Sequence, residues 1–238
     1  MKTIFSVLSL MAILCTAAVS ADEPSNRTVV LQDNFDGRTS VGDAYSTARG
    51  MEDAWSVVDG VLIGKQTNDD HGAVIRTELA FDDIEIEFDF RFSGGSRFNF
   101  VIDDKNERSV HSGHICRVSI SPKQLNVSDD KVGSMNLEVR KIRQNPAATD
   151  ADKQTLQQVL AKTQSAVKVD LKRGQWHHLR VRIQGDQMQA FLDGKLATSL
   201  KSPGFAHATK SKFGFTVNGS TIDFDNLMAY RIDPSTTR

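Results

Sequence analysis

The sequence predicts an all-β fold, a sandwich of two antiparallel sheets, on three observations. Residues 176–184 alternate between hydrophobic and polar, so one face of this strand meets a core and the other meets solvent. Residues 83–92 show the same period, with Ile or Phe at every second position from Ile84. Turn sequences such as Asp193-Gly194 and Asn218-Gly219 stand where the chain must reverse. We therefore expect an antiparallel sandwich built from β-hairpins.

The other predicted strands carry the same signals in chain order. Each is a short run rich in β-branched or aromatic residues, bounded by Gly, Asp, Asn or Ser. In residues 54–64 the turn Asp59-Gly60 divides the run into a hairpin. The strands predicted in this way cover residues 29–31, 54–64, 74–79, 98–102, 115–121 and 136–142.

One segment breaks the β pattern. Leu156, Val159 and Leu160 recur at helical spacing, and Thr149 with Asp152 forms an N-terminal capping pattern. We therefore predict one amphipathic helix at about residues 150–167, inserted between strands. Covering the edge of a sheet is its simpler role; a regulatory lid is the alternative.

The two ends of the chain lie outside the predicted domain. Lys2 precedes an apolar stretch and the small-residue end Val19-Ser20-Ala21, which is typical of a secretory signal peptide. The apolar run is shorter than the roughly 20 residues that cross a bilayer, so we expect no membrane span. We expect secretion or export to the periplasm. The predicted boundaries are a signal peptide at 1–21, a leader at 22–28, the sandwich domain at 29–232 and a tail at 233–238.

The composition excludes some classes of partner. The chain has 29 basic and 30 acidic residues, so it lacks the basic excess that favours binding to nucleic acid. Loss of the signal peptide would leave Cys116 without a partner for a disulfide. Stability must then come from the hydrophobic core.

Four segments carry a family resemblance: WSVVDGVLIG, DDIEIEFDFRF, GQWHHLRVRI with FLDG, and IDFDNLMAYRI. On these segments the chain resembles the concanavalin A-like lectin/glucanase superfamily, and within it the 3-keto-disaccharide hydrolase domains and laminin G-like domains. The resemblance implies a concanavalin A-like jelly roll with a glycan or glycoside as partner. Three functions follow from it: a sugar-binding module, a hydrolase or lyase acting on glycosides, or a laminin G-like structural module with a protein partner.

Three acids form the first candidate site. Glu85, Glu87 and Asp89 lie on one face of a predicted strand. Retaining glycosidases use two carboxylates about 5–5.5 Å apart, one as nucleophile and one as acid/base. The three acids resemble in part the Glu-x-Asp pattern of family 16 glycoside hydrolases, which makes them the catalytic candidates. Solvated acids on the polar side of a strand are the alternative.

The polar face of the strand at 176–184 forms the second candidate site. Trp176 offers a flat ring against which a sugar can stack, and His178, Arg180 and Arg182 offer hydrogen-bond donors. This pattern favours a carbohydrate-binding platform. An ordinary wet surface, with Trp176 as a packing anchor, is the alternative.

Two metal sites are also candidates. His111, His114 and Cys116 are possible zinc ligands, with the acids at 103–104 nearby. The alternation places Cys116 on the apolar face of a predicted strand. A thiol there behaves as a small hydrophobe, which argues against zinc. For calcium, related sandwiches imply a structural ion at Asp225, and turn capping by the Asp side chain is the alternative.

Overall fold

The alternating segments fold as two antiparallel sheets in the computed structural model, which describes residues 27–232. The strands are β1 (Arg27–Asp33), β2 (Tyr45–Thr47), β3 (Trp55–Val58), β4 (Val61–Lys65), β5 (Ala73–Phe81), β6 (Ile84–Phe92), β7 (Gly95–Asp103), β8 (His114–Ser121), β9 (Gln124–Asp129), β10 (Gln164–Lys168), β11 (Trp176–Gln184), β12 (Gln187–Leu192), β13 (Lys195–Lys201), β14 (Lys210–Gly219) and β15 (Thr221–Ile232). The helices are α1 (Leu137–Gln144) and α2 (Asp150–Thr163).

Each sheet mixes strands from distant parts of the chain. Sheet A has the order β13-β12-β11-β6-β15-β4-β3, and β1 also pairs with β15. Sheet B has the order β10-β9-β8-β7-β14-β5-β2. The prediction of an all-β jelly-roll sandwich is confirmed, and the first strand packs beside the last.

Phenylalanine rings from both sheets fill the space between them. Phe215 of β14 stacks on Phe224 of β15 with ring centroids 4.1 Å apart. Phe88 of β6 meets Phe215 edge-on at 4.9 Å. Full burial of such a ring stabilises the fold by about 1.5–3 kcal/mol. Because alternate residues of these strands point inward, the residues between them form the outer face of each sheet.

The predicted hairpin turns have the expected backbone. Asp193 and Gly194 both have positive φ, 49° and 78°, as do Asp59 and Gly60 at 50° and 76°. Two successive positive φ values are typical of the type I′ turn, whose twist matches that of the flanking strands. The Asp-Gly pairs therefore fix the register of the β3–β4 and β12–β13 hairpins.

The helical part differs from the prediction in two ways. The strand predicted at 136–142 is wrong, because Asn136 caps a helix there by accepting from the backbone N–H groups of Glu138 and Val139. The predicted helix at 150–167 has the expected capping box of Thr149 and Asp152, but it ends at Thr163. The chain then continues as β10, the edge strand of sheet B, paired with β9.

No helix among residues 27–232 is long and apolar enough to cross a membrane. The predicted signal peptide and tail lie outside the described residues, as does the leader except for its last two positions. There β1 begins at Arg27, two residues before the predicted domain boundary.

Candidate functional site

A polar groove crosses the outer face of sheet B. It consists of two adjoining cavities of about 320 Å³ each, which share Asn99 and Arg117. We call the two together the sheet B groove. The first cavity lies over β5, β14, β7 and the start of β8, and the second lies over β7, β8 and β9. The groove therefore runs across the central strands of the sheet.

A buried carboxylate organises the first cavity. Asp103 is 2% exposed and accepts hydrogen bonds from Arg76 Nε at 2.8 Å and from His114 Nδ1 at 2.6 Å. Arg76 also donates to the carbonyl of Phe215, 2.7 Å away. The three side chains therefore form a fixed unit at the base of the cavity.

The charge of Asp103 is stabilised by its partners. Burial by itself raises the pKa of a carboxyl, but the hydrogen bond from His114 and the charge of Arg76 outweigh burial and hold the pKa of Asp103 below its ordinary value. His114 uses Nδ1 for this carboxylate, so Nε2 is the nitrogen left to exchange a proton with a bound molecule. This arrangement is a carboxylate-oriented histidine, the geometry of a general base.

A β-bulge places His114 in the groove. The register between β7 and β8 shifts after Ile102, which pairs with Cys116, whereas Asp103 pairs with His114. Ile115 and Cys116 are both fully buried. Strict alternation from Cys116 would point His114 into the core, and the extra residue turns it to the face that carries Asp103.

Two further histidines lie near this end of the groove. The ring centroids of His111 and His114 are 6.1 Å apart. Burial, together with the charges of Arg140 and other nearby groups, lowers the pKa of His111, which favours its neutral form. His71 lines the first cavity and bonds through Nδ1 to the carbonyl of Gly72. Three histidines, His71, His111 and His114, thus lie at or near this end of the groove.

The acids predicted to be catalytic lie on the opposite side of the molecule, on the outer face of sheet A. There β6 pairs with β11 so that Glu85 faces Arg182, Glu87 faces Arg180 and Asp89 faces His178. We call these six residues the sheet A ladder. The structure thus brings the predicted acids and most of the predicted sugar platform together on one face, but none of them lines the sheet B groove.

Glu85 is the most buried member of the ladder, with no exposed surface. It accepts from Arg182 Nε at 2.7 Å, lies 3.4 Å from Arg180 and also pairs with Arg27. Its charge is therefore compensated by three guanidinium groups. The phenyl ring of Phe191 lies beneath Arg180, 4.1 Å from the guanidinium carbon.

The other two acids hold His178 in its charged form. His178 Nδ1 bonds to Asp89 at 2.8 Å, and Nε2 lies 3.8 Å from Glu87. The interaction with the Glu87 carboxylate, against the opposing effect of burial, and the hydrogen bond to Asp89 raise the pKa of His178 to about 9. Tyr230 donates to Glu87, and Asn226 donates to Asp89. The catalytic role of these acids stays a prediction.

Trp176 lies at the end of the ladder and is 37% exposed. The guanidinium carbon of Arg91 lies 4.6 Å from the centre of its ring, and Arg91 pairs with Asp223 at 2.7 Å. One side of the indole is therefore covered by a cation. The sugar platform predicted at Trp176, His178, Arg180 and Arg182 also stays a prediction.

The predicted metal ligands do not form a cluster in the part of the chain that the structure describes. There, no group of three or more His, Cys, Asp or Glu side chains is arranged to hold a metal ion. Cys116 is fully buried, and burial raises its pKa well above the ordinary value, which disfavours the thiolate that zinc needs. Calcium at Asp225 stays a prediction, tested by melting curves with and without calcium.

The structure defines a concanavalin A-like jelly roll with a polar groove over one sheet. The chain belongs to the family described as the 3-keto-alpha-glucoside-1,2-lyase-like domain, whose model matches residues 31–229. This confirms the resemblance to the 3-keto-disaccharide hydrolase domains. No protein among those with curated descriptions matches the chain by sequence.

Solved structures with the same fold include enzymes and a binding module. The laminarinase from Rhodothermus marinus has a TM-score of 0.59 and 14% identity, covering 88% of this chain and 99% of its own. Porphyranase B from Zobellia galactanivorans has a TM-score of 0.59 and 11% identity, covering 90% and 97%. The carbohydrate-binding module CBM66 from Bacillus subtilis has a TM-score of 0.52 and 14% identity, covering 80% and 97%. At these identities the likeness shows the fold.

Proposed function

We propose that this chain is a glycan-directed domain whose site is the sheet B groove, and that it eliminates the C1 substituent of 3-keto glucosides. The observation that carries the proposal is the hydrogen bond between buried Asp103 and His114 at the base of a cavity. Membership of the lyase-like family supports the class of substrate. The laminarinase, porphyranase and carbohydrate-binding-module neighbours support a sugar as the ligand.

The groups in the first cavity match the needs of this elimination. The C3 carbonyl of the substrate acidifies the proton on C2, and His114 removes that proton through Nε2. The electron pair moves through an enolate and expels the C1 oxygen, which leaves a C1–C2 double bond and the C3 carbonyl. The same proton returns to the departing alcohol, so the reaction needs no oxidant or reductant.

Two neighbouring groups assist this step. Asp103 orients the imidazole, and it stabilises the positive charge that forms on the ring. Lys212, which lines the same cavity, stabilises the negative charge that develops on the C3 oxygen. The role of Asp103 is one of positioning, because its carboxylate is already occupied by Arg76 and His114.

The test uses 4-nitrophenyl 3-keto-α-glucoside and follows release of nitrophenol. His114→Gln should lower turnover at least about 100-fold, since it removes the general base. His178→Gln is the matched control, because His178 is also bonded to an aspartate but lies on sheet A. Equal loss in both variants, or no release by the wild type, would contradict the proposal. Retention of the sugar without release would indicate a binding module.

We also propose that the chain works outside the cytoplasm, after cleavage behind Ala21. N-terminal sequencing of the protein from the producing cells tests this proposal. A mature chain that begins at Asp22 supports export, and an intact Met1 contradicts it.

A further inference from the structure

The sheet B groove concentrates positive charge in a chain that is nearly neutral overall. Four cationic residues line its two cavities: Arg76, Arg97, Arg117 and Lys212. One carboxylate lines it, that of Asp103, and this group is bonded to Arg76 and His114. Arg117 is also paired, with buried Asp130, so the excess positive charge of the groove comes from Arg97 and Lys212. An excess of one sign of charge in a cleft attracts ligands of the opposite sign.

The second cavity has neither an acid nor an aromatic ring in its lining. Besides its two arginines it is lined by amide and hydroxyl side chains, which are Asn99, Ser119, Ser121, Gln124 and Asn126. Amides and hydroxyls hydrogen-bond to sugar hydroxyls. Without an aromatic ring on which a sugar can stack, recognition here rests on hydrogen bonds and charge.

The two arginines differ in how they are held. Arg117 Nη2 donates to Ser134 at 2.9 Å and lies 3.3 Å from buried Asp130, which fixes the guanidinium at the junction of the two cavities. Arg97 is exposed, and its Nη2 lies 3.4 Å from the amide oxygen of Asn218, a long contact. Arg97 can thus bind a ligand group in addition to Asn218. The guanidinium of Arg117 is already held in one orientation before a ligand binds.

We infer that the second cavity binds a glycan that carries an anionic group, with the anion held by Arg97 at one end of the cavity and Arg117 as a further hydrogen-bond donor at the junction with the first cavity. The inference rests on the proposed function, since it assumes that the sheet B groove is the sugar site. Carboxylates and sulfates are planar or forked acceptors that match the paired donors of guanidinium groups. A uronic acid and a sulfate ester share this chemistry.

Isothermal titration of the mature chain with three oligosaccharides of equal length tests the inference. Oligogalacturonate supplies carboxylates, sulfated dextran oligosaccharide supplies sulfates, and dextran oligosaccharide is neutral. At least one anionic ligand should bind about tenfold or more tightly than the neutral one. The anionic ligand that binds more tightly identifies the carboxylate or the sulfate as the recognised group.

Two variants distinguish a specific anion-binding site from general electrostatic attraction of the ligand to the protein. Arg97→Gln should weaken binding of the anionic ligand about tenfold, because it removes a charge-assisted hydrogen bond. Lys195→Gln removes the same charge from an exposed position of β13 on the other sheet and should leave affinity unchanged. Arg97 is exposed, so its substitution should leave the melting temperature unchanged.

Equal binding of neutral and anionic ligands, or equal weakening by both variants, would overturn the inference. In that case, nitrophenol release that depends on His114 would still support the proposed function. Absence of both glycan binding and release would overturn the two together. The two sets of experiments therefore distinguish an incorrect ligand class from an incorrect site.

Discussion

The outer faces of the two sheets both hold a histidine bonded to an aspartate, but the surroundings of the two pairs differ. On sheet A, His178 lies between Asp89 and Glu87, and its pKa is raised to about 9. On sheet B, Asp103 is buried and is shared between His114 and Arg76. The first histidine is an imidazolium at neutral pH and cannot accept a proton. The second lines a cavity with its Nε2 available.

The comparison shows why charged residues on a strand are weak evidence of catalysis. In the sheet A ladder, cations and acids of neighbouring strands compensate each other and stabilise the sheet. In the sheet B groove, Arg76 is paired with Asp103 and Arg117 with Asp130, but Arg97 and Lys212 line the cavities and form no salt bridge within the described residues. Charge that has no partner within the protein is the better indicator of a ligand.

The largest stability effect is expected from Glu85→Gln. The substitution removes the fully buried carboxylate that Arg27, Arg180 and Arg182 contact. Removing one partner of a buried ion pair costs about 3–5 kcal/mol. Urea unfolding measures the loss, and Glu87→Gln, on the same face with a more exposed side chain, should cost less.

The same two variants test whether the sheet A acids are catalytic. If the site is the sheet B groove, turnover per folded molecule stays unchanged in both variants. A loss of about 100-fold in either would instead assign general acid/base or nucleophilic chemistry to the sheet A ladder.

A pH effect of intermediate size is expected from His178. Its pKa is about 9 in the folded protein and about 6.5 in an unfolded chain. The raised pKa stabilises the folded state fully below about pH 6.5, and this contribution is lost as the pH rises through about 9. The free energy of unfolding should therefore fall less steeply with pH in His178→Gln than in the wild type. If the free energy of unfolding changes with pH in the same way in both proteins from about pH 6 to 10, the sheet A ladder does not raise the pKa of His178.

The smallest effect is expected from Trp176→Ala. The contact of Arg91 with the indole is worth about 0.5–1 kcal/mol at an exposed site. Glycan retention should be unchanged, since Trp176 lies on sheet A. Affinity electrophoresis in a glycan-containing gel measures retention as slowed migration. If the glycan slows the Trp176→Ala variant less than the wild type, the sugar platform lies on the sheet A ladder.

Most of the fold follows from the sequence because it depends on local signals. Alternation predicted β6 and β11, and the Asp-Gly turns predicted the β3–β4 and β12–β13 hairpins. The helix α1 was missed because the spacing of Leu137 and Val139 also fits a strand. None of its residues is buried, so the cap at Asn136, rather than a core-facing stripe, is the clearest mark of this helix.

The sheet B groove was only partly predictable. The histidines of HSGHIC and the neighbouring Asp103 stood out as a possible metal site, and two of these residues form the pair at the base of the cavity. Their role depends on the bulge between β7 and β8, which alternation cannot reveal. Arg76 and Arg117 were missed because they are single cations on strands far apart in sequence, which only the sheet order brings together.

The most direct test of the account is a crystal structure of the His114→Gln variant with a bound oligosaccharide. The account predicts a sugar ring over β7 and β8, within hydrogen-bond distance of Asn99 and Arg117. A sugar bound instead against Trp176 and the sheet A ladder would contradict it.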